Sequence, residues 1–125
     1  MDSSGGETTV LVVDDDDALR MLCRVNLELD GYRVLEAPSL AAARQTLGEQ
    51  DVSVVLLDCR LGDGDGRELL HELRGGPGAA PEPSVALFTG SESVSDRDQR
   101  LADDLIPKPF TLEQLAATVR RLAGR

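Results

Sequence analysis

The sequence predicts an α/β fold, a doubly wound parallel sheet flanked by helices, and two observations carry that prediction. Short apolar runs rich in valine and leucine alternate with stretches whose apolar residues recur at helical spacing, as expected of parallel strands joined by right-handed crossovers. Four of the runs also end abruptly in polar residues. Val10 to Val13 stops at Asp14-Asp15-Asp16-Asp17, Val52 to Leu57 at Asp58, Val85 to Phe88 at Thr89-Gly90-Ser91, and Leu105-Ile106 passes through Pro107 to Lys108-Pro109. Ligands of an open parallel sheet bind outside the carboxyl ends of its strands, so carboxylates, a hydroxyl and an ammonium are expected on one rim.

Taken in order, residues 1–8 read as a flexible N-terminal tail and 9–125 as one domain. Thr9 to Val13 is the first buried strand, and Ala18, Leu19, Leu22, Val25 and Leu29 space out a helix that Gly31 stops. Asp16 and Asp17 fit its N-cap and first turn, where negative charge is favourable. Val34-Leu35 is a short strand, and Pro38-Ser39 opens a helix carrying Leu40, Ala43 and Leu47. Val52 to Leu57 is the third strand. The helix marked by Leu69, Leu70 and Leu73 ends at Gly75-Gly76-Pro77, and Gly78 to Ser84, with two prolines, is a loop. Ser84 to Phe88 and Asp104 to Ile106 are the last strands. Thr111-Leu112-Glu113-Gln114 is a capping box, and Leu112, Leu115, Val119 and Leu122 follow as the apolar face of the last helix. Ser91 to Asp104 offers only Val94, Leu101 and Ala102 to a core, which predicts a short or mobile fourth helix.

Composition narrows the function. The 125 residues are 41% hydrophobic and 29% charged but only 2% aromatic, so one domain with an aliphatic core is expected. A formal charge of -10 argues against nucleic acid or an anionic membrane as a partner of this domain. Cys23 and Cys59 give neither metal spacing nor a disulfide framework. Met1 to Thr9 lacks the features of a signal peptide, and no run approaches the roughly 18 apolar residues of a membrane span. The expected location is the cytoplasm.

Asp14, Asp15 and Asp58 form the sharpest constellation. Carboxylates gathered on one rim repel by roughly 4 kcal/mol per pair at about 4 Å and an effective dielectric near 20, a cost that a hard cation such as Mg²⁺ offsets. A carboxylate is also a competent nucleophile toward phosphorus, and Thr89 and Lys108 would meet the phosphoryl oxygens.

With these residues in place, the sequence resembles the response-regulator receiver domain of two-component signalling systems from Thr9 to about Leu122. The resemblance rests on Val12-Val13-Asp14-Asp15-Asp16, Leu56-Leu57-Asp58 with Gly66 following, Phe88-Thr89-Gly90 and Ile106-Pro107-Lys108-Pro109-Phe110. It implies a flavodoxin-like five-stranded sheet in the order 2-1-3-4-5, and a cis Lys108-Pro109 bond. It further implies Asp58 as phosphoacceptor, with Thr89 and Lys108 contacting the phosphoryl group. Mg²⁺ would be held by Asp14, Asp15, Asp58 and the backbone carbonyl of Arg60. The implied partners are a histidine kinase or histidine phosphotransfer protein as donor and a downstream protein target, with a phosphorylation-linked dimer left open. Such a domain is not an enzyme toward other substrates, although it catalyses its own phosphorylation and dephosphorylation at Asp58.

Three departures stand beside the resemblance. Leu105 occupies the place of the usual switch aromatic, Gly62 replaces the usual proline after the phosphoacceptor, and the segment from Thr89 to Lys108 is short by roughly one helical turn. Two other functions therefore remain as alternatives. One is a phosphate-independent interaction module on the receiver fold. The other is a haloacid-dehalogenase-type phosphatase using Asp14 as nucleophile and Asp16 as acid. His71 reads as an exposed helical residue, Cys59 as a bystander to the site, and Arg60 equally as a gate or a solvated charge.

Overall fold

The computed structural model describes residues 8–75, 83–91 and 93–124. The expected tail through residue 7, the Gly76-Pro77 helix stop and the loop from 78 to 82 lie outside the described residues. Five strands form a parallel sheet: β1 (Thr9–Val13), β2 (Arg33–Ala37), β3 (Val54–Asp58), β6 (Ser84–Thr89) and β7 (Asp104–Pro107), in the order β2-β1-β3-β6-β7. Counting these five alone, the order is 2-1-3-4-5, as expected. Strands β4 (Arg60–Leu61) and β5 (Gly64–Asp65) form a separate small antiparallel hairpin. The helices are α1 (Asp17–Leu29), α2 (Leu40–Glu49), α3 (Gly66–Gly75), α4 (Asp96–Leu101) and α5 (Leu112–Ala123).

Both sheet faces are covered, which is why the strands read as continuous apolar runs rather than alternating ones. Successive strand residues point to opposite faces. Leu11, Val13, Val55, Leu57, Val85 and Leu87 enter one aliphatic layer with Leu40, Ala43, Leu69 and Leu70 of α2 and α3. Val10, Val12, Val54, Leu56, Ala86 and Phe88 enter the other, with Cys23, Leu27, Leu115, Val119 and Leu122 of α1 and α5. Cys23 and Cys59 are both buried, and neither is in a disulfide among the described residues.

Several local signals act as expected. Asp16 caps α1 by accepting from the amides of Ala18 and Leu19, and Asp17 lies in its first turn. Gly31 follows the helix at φ +96°, a conformation that glycine adopts without steric cost. The Thr111/Gln114 capping box opens α5, and Lys108-Pro109 is cis.

Other expectations need correction. The spacing Leu22, Val25, Leu29 is not the core face of α1: with Met21 these residues are 57%, 46%, 42% and 80% exposed for Met21, Leu22, Val25 and Leu29. Cys23 and Leu27 supply the buried face, with Leu19 packed beside them. The Cys23 and Leu27 positions thus outcompete the longer apolar stripe because they are the ones turned toward the sheet-face layer. Leu112 is likewise exposed while Leu115, Val119 and Leu122 are buried, so most of the apolar face of α5 belongs to the core. Strand β3 begins at Val54 rather than Val52, β2 extends to both sides of Val34-Leu35, and the β4–β5 hairpin had no signal in the apolar pattern.

Helix α4 is short, as expected, with six residues. Polar contacts from α3 hold it. The guanidinium of Arg67 donates to the Ser93 carbonyl at 2.9 Å and forks onto Asp65 at 2.9 and 2.7 Å. His71 is exposed on α3, as expected, and its Nε2 lies 2.6 Å from Asp98 Oδ1. Arg74 donates to the carbonyls of Leu101 and Pro83 and to Asp103, whose carboxylate also accepts from the Val85 amide.

Candidate functional site

Strand β1 delivers Asp14 to the sheet rim directly after four fully buried residues, and central β3 delivers Asp58 in the same way. Their strands are adjacent, with Val13 opposite Leu57. One ligand oxygen from each of Asp14, Asp15 and Asp58 falls in a group within 4.8 Å. Asp14 is buried, at 1% exposure, and Asp15 is exposed.

The backbone and two cations hold the acids in place. Asp14 donates its amide to the Ala37 carbonyl of β2 at 3.1 Å. Its Oδ1 accepts from the Asp16 amide at 2.9 Å and its Oδ2 from Lys108 Nζ at 2.8 Å. Arg20 donates to the Asp14 backbone carbonyl at 2.6 Å and to Glu36 at 3.2 Å, and also bonds Asp17. Arg20 therefore ties the acid loop to α1 and β2. Its role was missed in the sequence because its partners lie on three elements.

Lys108 reaches the rim from β7 through Pro107, which pairs with Thr89 at the end of β6, and the Lys108 amide donates to the Thr89 carbonyl at 2.7 Å. Its ammonium lies between Asp14 and Asp58, 3.5 Å from Asp58 Oδ1, and 5.4 Å from the Phe88 ring centroid. Phe110 stacks on Phe88 with centroids 5.3 Å apart. Thr89 stands one residue beyond Phe88, the register partner of Asp58. The five charged or hydroxyl groups named from the sequence thus occupy one rim.

Electrostatics separate the groups. Burial pushes the Asp58 carboxyl up, the neighbouring Asp14 charge adds to this, and Lys108 and the Arg60 amide oppose it. For Lys108, burial pulls downward, but hydrogen bonds and charge from Asp14 and Asp58 outweigh it and hold the ammonium above its usual range. The result is a desolvated carboxylate crowded by acids and partly neutralised by one ammonium.

This donor set fits a hard divalent cation. Such ions take oxygen ligands, and Mg²⁺ commonly uses one or two carboxylates with waters and phosphate oxygens. Arg60, exposed on β4 two residues past Asp58, carries the backbone carbonyl that the sequence resemblance adds to the set. Gly66 closes the loop by donating to the Cys59 carbonyl at 2.9 Å, and a Cβ at Gly66 would lie 1.9 Å from the Asp58 carbonyl. Only glycine fits there. Leu105, in the place of the expected aromatic, packs against the α2/α3 layer.

A family model for the response regulator receiver domain matches residues 10–120. Response regulator MprA of Mycobacterium tuberculosis (strain ATCC 25618 / H37Rv) is 37% identical over 119 residues, covering 93% of this chain and 50% of that protein. The KDP operon transcriptional regulatory protein KdpE of Escherichia coli (strain K12) is 37% identical over 116 residues, covering 90% of this chain and 50% of that protein. The chain therefore spans about half the length of these relatives. Among solved structures, the receiver domain of NtrX from Brucella abortus superposes with a TM-score of 0.81 at 28% identity, over 92% of this chain and 98% of that one. A CheY-like response regulator receiver domain protein from Methanospirillum hungatei JF-1 shares the fold, with a TM-score of 0.83 at 23% identity, over 94% of each chain.

Proposed function

The chain belongs to the response regulator receiver domain family, and from that premise we propose that Asp58 accepts a phosphoryl group from a phosphohistidine donor and that the domain then signals through a changed protein-binding surface. The observation that carries this reading is the grouping of Asp14, Asp15 and Asp58 within 4.8 Å, with Lys108 Nζ 3.5 Å from Asp58. An Asp58 oxygen attacks phosphorus. The new O–P bond forms as the donor N–P bond breaks, and the bonding pair leaves on the imidazole nitrogen.

Asp14, Asp15, Asp58 and the Arg60 carbonyl are the residues that would hold Mg²⁺, which when bound neutralises charge on the transferring phosphoryl oxygens. Lys108 leaves its contact with Asp14 to meet that group, and Thr89 donates its hydroxyl to it. Burial of Asp58 aids attack, because a desolvated carboxylate gains more by bonding to phosphorus than a hydrated one.

The burial and double engagement of Asp14 favour this reading over a phosphatase with Asp14 as nucleophile. Both of its oxygens already accept hydrogen bonds, from Asp16 and Lys108. The donor would be a histidine kinase or histidine phosphotransfer protein. The exposed Met21, Leu22, Val25 and Leu29 of α1 support docking of that donor, since the helix starts at the Asp16 cap beside the acid rim. KdpE is named a transcriptional regulatory protein; output to transcription here would pass from the receiver by protein contact.

Hydroxylamine trapping tests the chemistry. After incubation with a small phosphodonor and Mg²⁺, an acyl phosphate on Asp58 yields a hydroxamate at that residue. A hydroxamate at Asp14, or a phosphoryl group that resists hydroxylamine, would contradict the assignment.

A further inference from the structure

We propose that Asp63 is a positioning residue for the cation-holding loop: it fastens the hairpin that carries the Arg60 carbonyl to the first turn of α2. The proposal rests on the receiver reading above and deepens it.

The hairpin pairs Arg60 with Asp65 and Leu61 with Gly64, leaving Gly62-Asp63 as its turn. At Gly62 there is nothing within 4 Å of where a Cβ would stand, so no packing holds the turn there. The Asp63 side chain supplies the hold instead. Its Oδ1 accepts from the Leu40 amide at 2.9 Å and its Oδ2 from the Ala41 amide at 3.1 Å. Ser39 already caps the Ala42 amide. A helix start leaves its first amides without intrahelical partners and favours negative charge. A carboxylate arriving from another loop therefore satisfies two of them at once, and these two amides hold the Asp63 carboxyl below its usual range.

Contacts on either side show that the hairpin is seated rather than merely adjacent. Gly64 takes φ +151°, and a Cβ there would lie 2.9 Å from Leu40 Cδ1. Leu61 is buried in the same layer as Leu40. Helix α2 is a firm base: Leu40 and Ala43 are buried, and Arg44 forks onto Glu72 of α3 at 3.0 and 2.7 Å. The other end of the hairpin is held by the Asp65–Arg67 fork. Releasing Asp63 frees the turn and loosens the strand that carries the Arg60 carbonyl, while the carboxylates of β1 and β3 stay where they are.

The test is Mn²⁺ binding followed by electron paramagnetic resonance, with Mg²⁺-dependent labelling by acetyl phosphate and thermal melts, on wild type, Asp63→Ala and Asp63→Asn. Asp63→Ala is expected to weaken Mn²⁺ and raise the half-saturating Mg²⁺ by about tenfold, the low end for groups that hold metal ligands in place. Asp63→Asn keeps an oxygen for one amide and recovers most of the loss, which a general loss of stability or of one negative charge does not predict. Wild-type affinity in Asp63→Ala overturns the proposal, as does an Asn variant impaired as fully as the Ala variant. If Asp63→Ala does not fold, the Asn variant decides alone, and an impairment there as large as that of Asp15→Asn counts against the proposal. A wild type that binds Mn²⁺ but takes up no phosphoryl group sinks the receiver reading while the Mn²⁺ series still decides the role of Asp63.

Discussion

At the sheet rim, Asp14 and Asp58 each follow four wholly buried strand residues, so their positions are set by the close-packed aliphatic layers beneath them. On the flank, α4 buries one residue of its own, Asp98, and is held by a row of polar side chains from α3: Arg67, His71 and Arg74. Packing density makes the rim stiff. Hydrogen bonds on the half-exposed flank each contribute little net free energy and can be exchanged for water. The difference teaches how the two regions are held: the acids are fixed by close packing beneath them, and the segment beside Thr89 is fastened by polar contacts weak enough to be rearranged. Leu105, in the place of the aromatic that the resemblance expects, packs against the α2/α3 layer beside this row.

The comparison can be tested first at its rigid end. Asp14→Asn should abolish Mg²⁺-dependent labelling and weaken Mg²⁺ binding by no less than the ~10–100-fold typical of losing a group that merely supports a metal ligand. Isothermal calorimetry checks this, and unchanged affinity would break the rim account. On the flank, Arg74→Ala strips partners from two carbonyls and from Asp103, and should cost about 1–3 kcal/mol in urea unfolding. A cost near zero would show that α4 does not depend on that row.

A smaller effect is expected at His71. Its side chain is 43% exposed against 12% for Asp98, so solvent screens the pair and His71→Ala should lower stability by at most ~1 kcal/mol. The sharper readout is hydrogen exchange, which should quicken in α4 while β1 and β3 stay protected. Equal quickening in both regions would erase the distinction between them.

The smallest effect concerns pH. Burial and Asp14 raise the folded pKa of Asp58, so its contribution to stability is fully present below the ordinary carboxylate range and is lost as pH rises through the raised folded value. Asp58→Asn should therefore raise Tm at pH 7, and the gain should shrink toward zero as the buffer is acidified into that range. A variant less stable than wild type at pH 7 would mean that the ammonium of Lys108 outweighs burial.

Much of this arrangement was legible in the residues themselves. Val10 to Val13 ending in Asp14, and the run ending in Asp58, announce buried strands and rim acids because strand burial leaves a local, contiguous pattern. The Thr111/Gln114 box and the Asp16 cap are equally local. Asp63 and Arg20 were not legible: Asp63 bonds Leu40 and Ala41, far away in sequence, and Arg20 joins nearby Asp14 to distant Glu36. Polar contacts of this kind carry no periodicity. Helix α1 misled for another reason, since Leu22, Val25 and Leu29 have the spacing of a core face yet point to solvent. Periodicity locates a stripe but does not say which side of the helix meets the sheet.

The most direct test of the central claim is incubation with acetyl phosphate, with and without Mg²⁺, followed by intact mass and peptide mapping of wild type and Asp58→Asn. The account predicts one phosphoryl addition to wild type, dependent on Mg²⁺ and mapped to Asp58, and none to Asp58→Asn. Labelling that persists in Asp58→Asn, or a wild type that binds Mg²⁺ yet takes up no phosphoryl group, would contradict it.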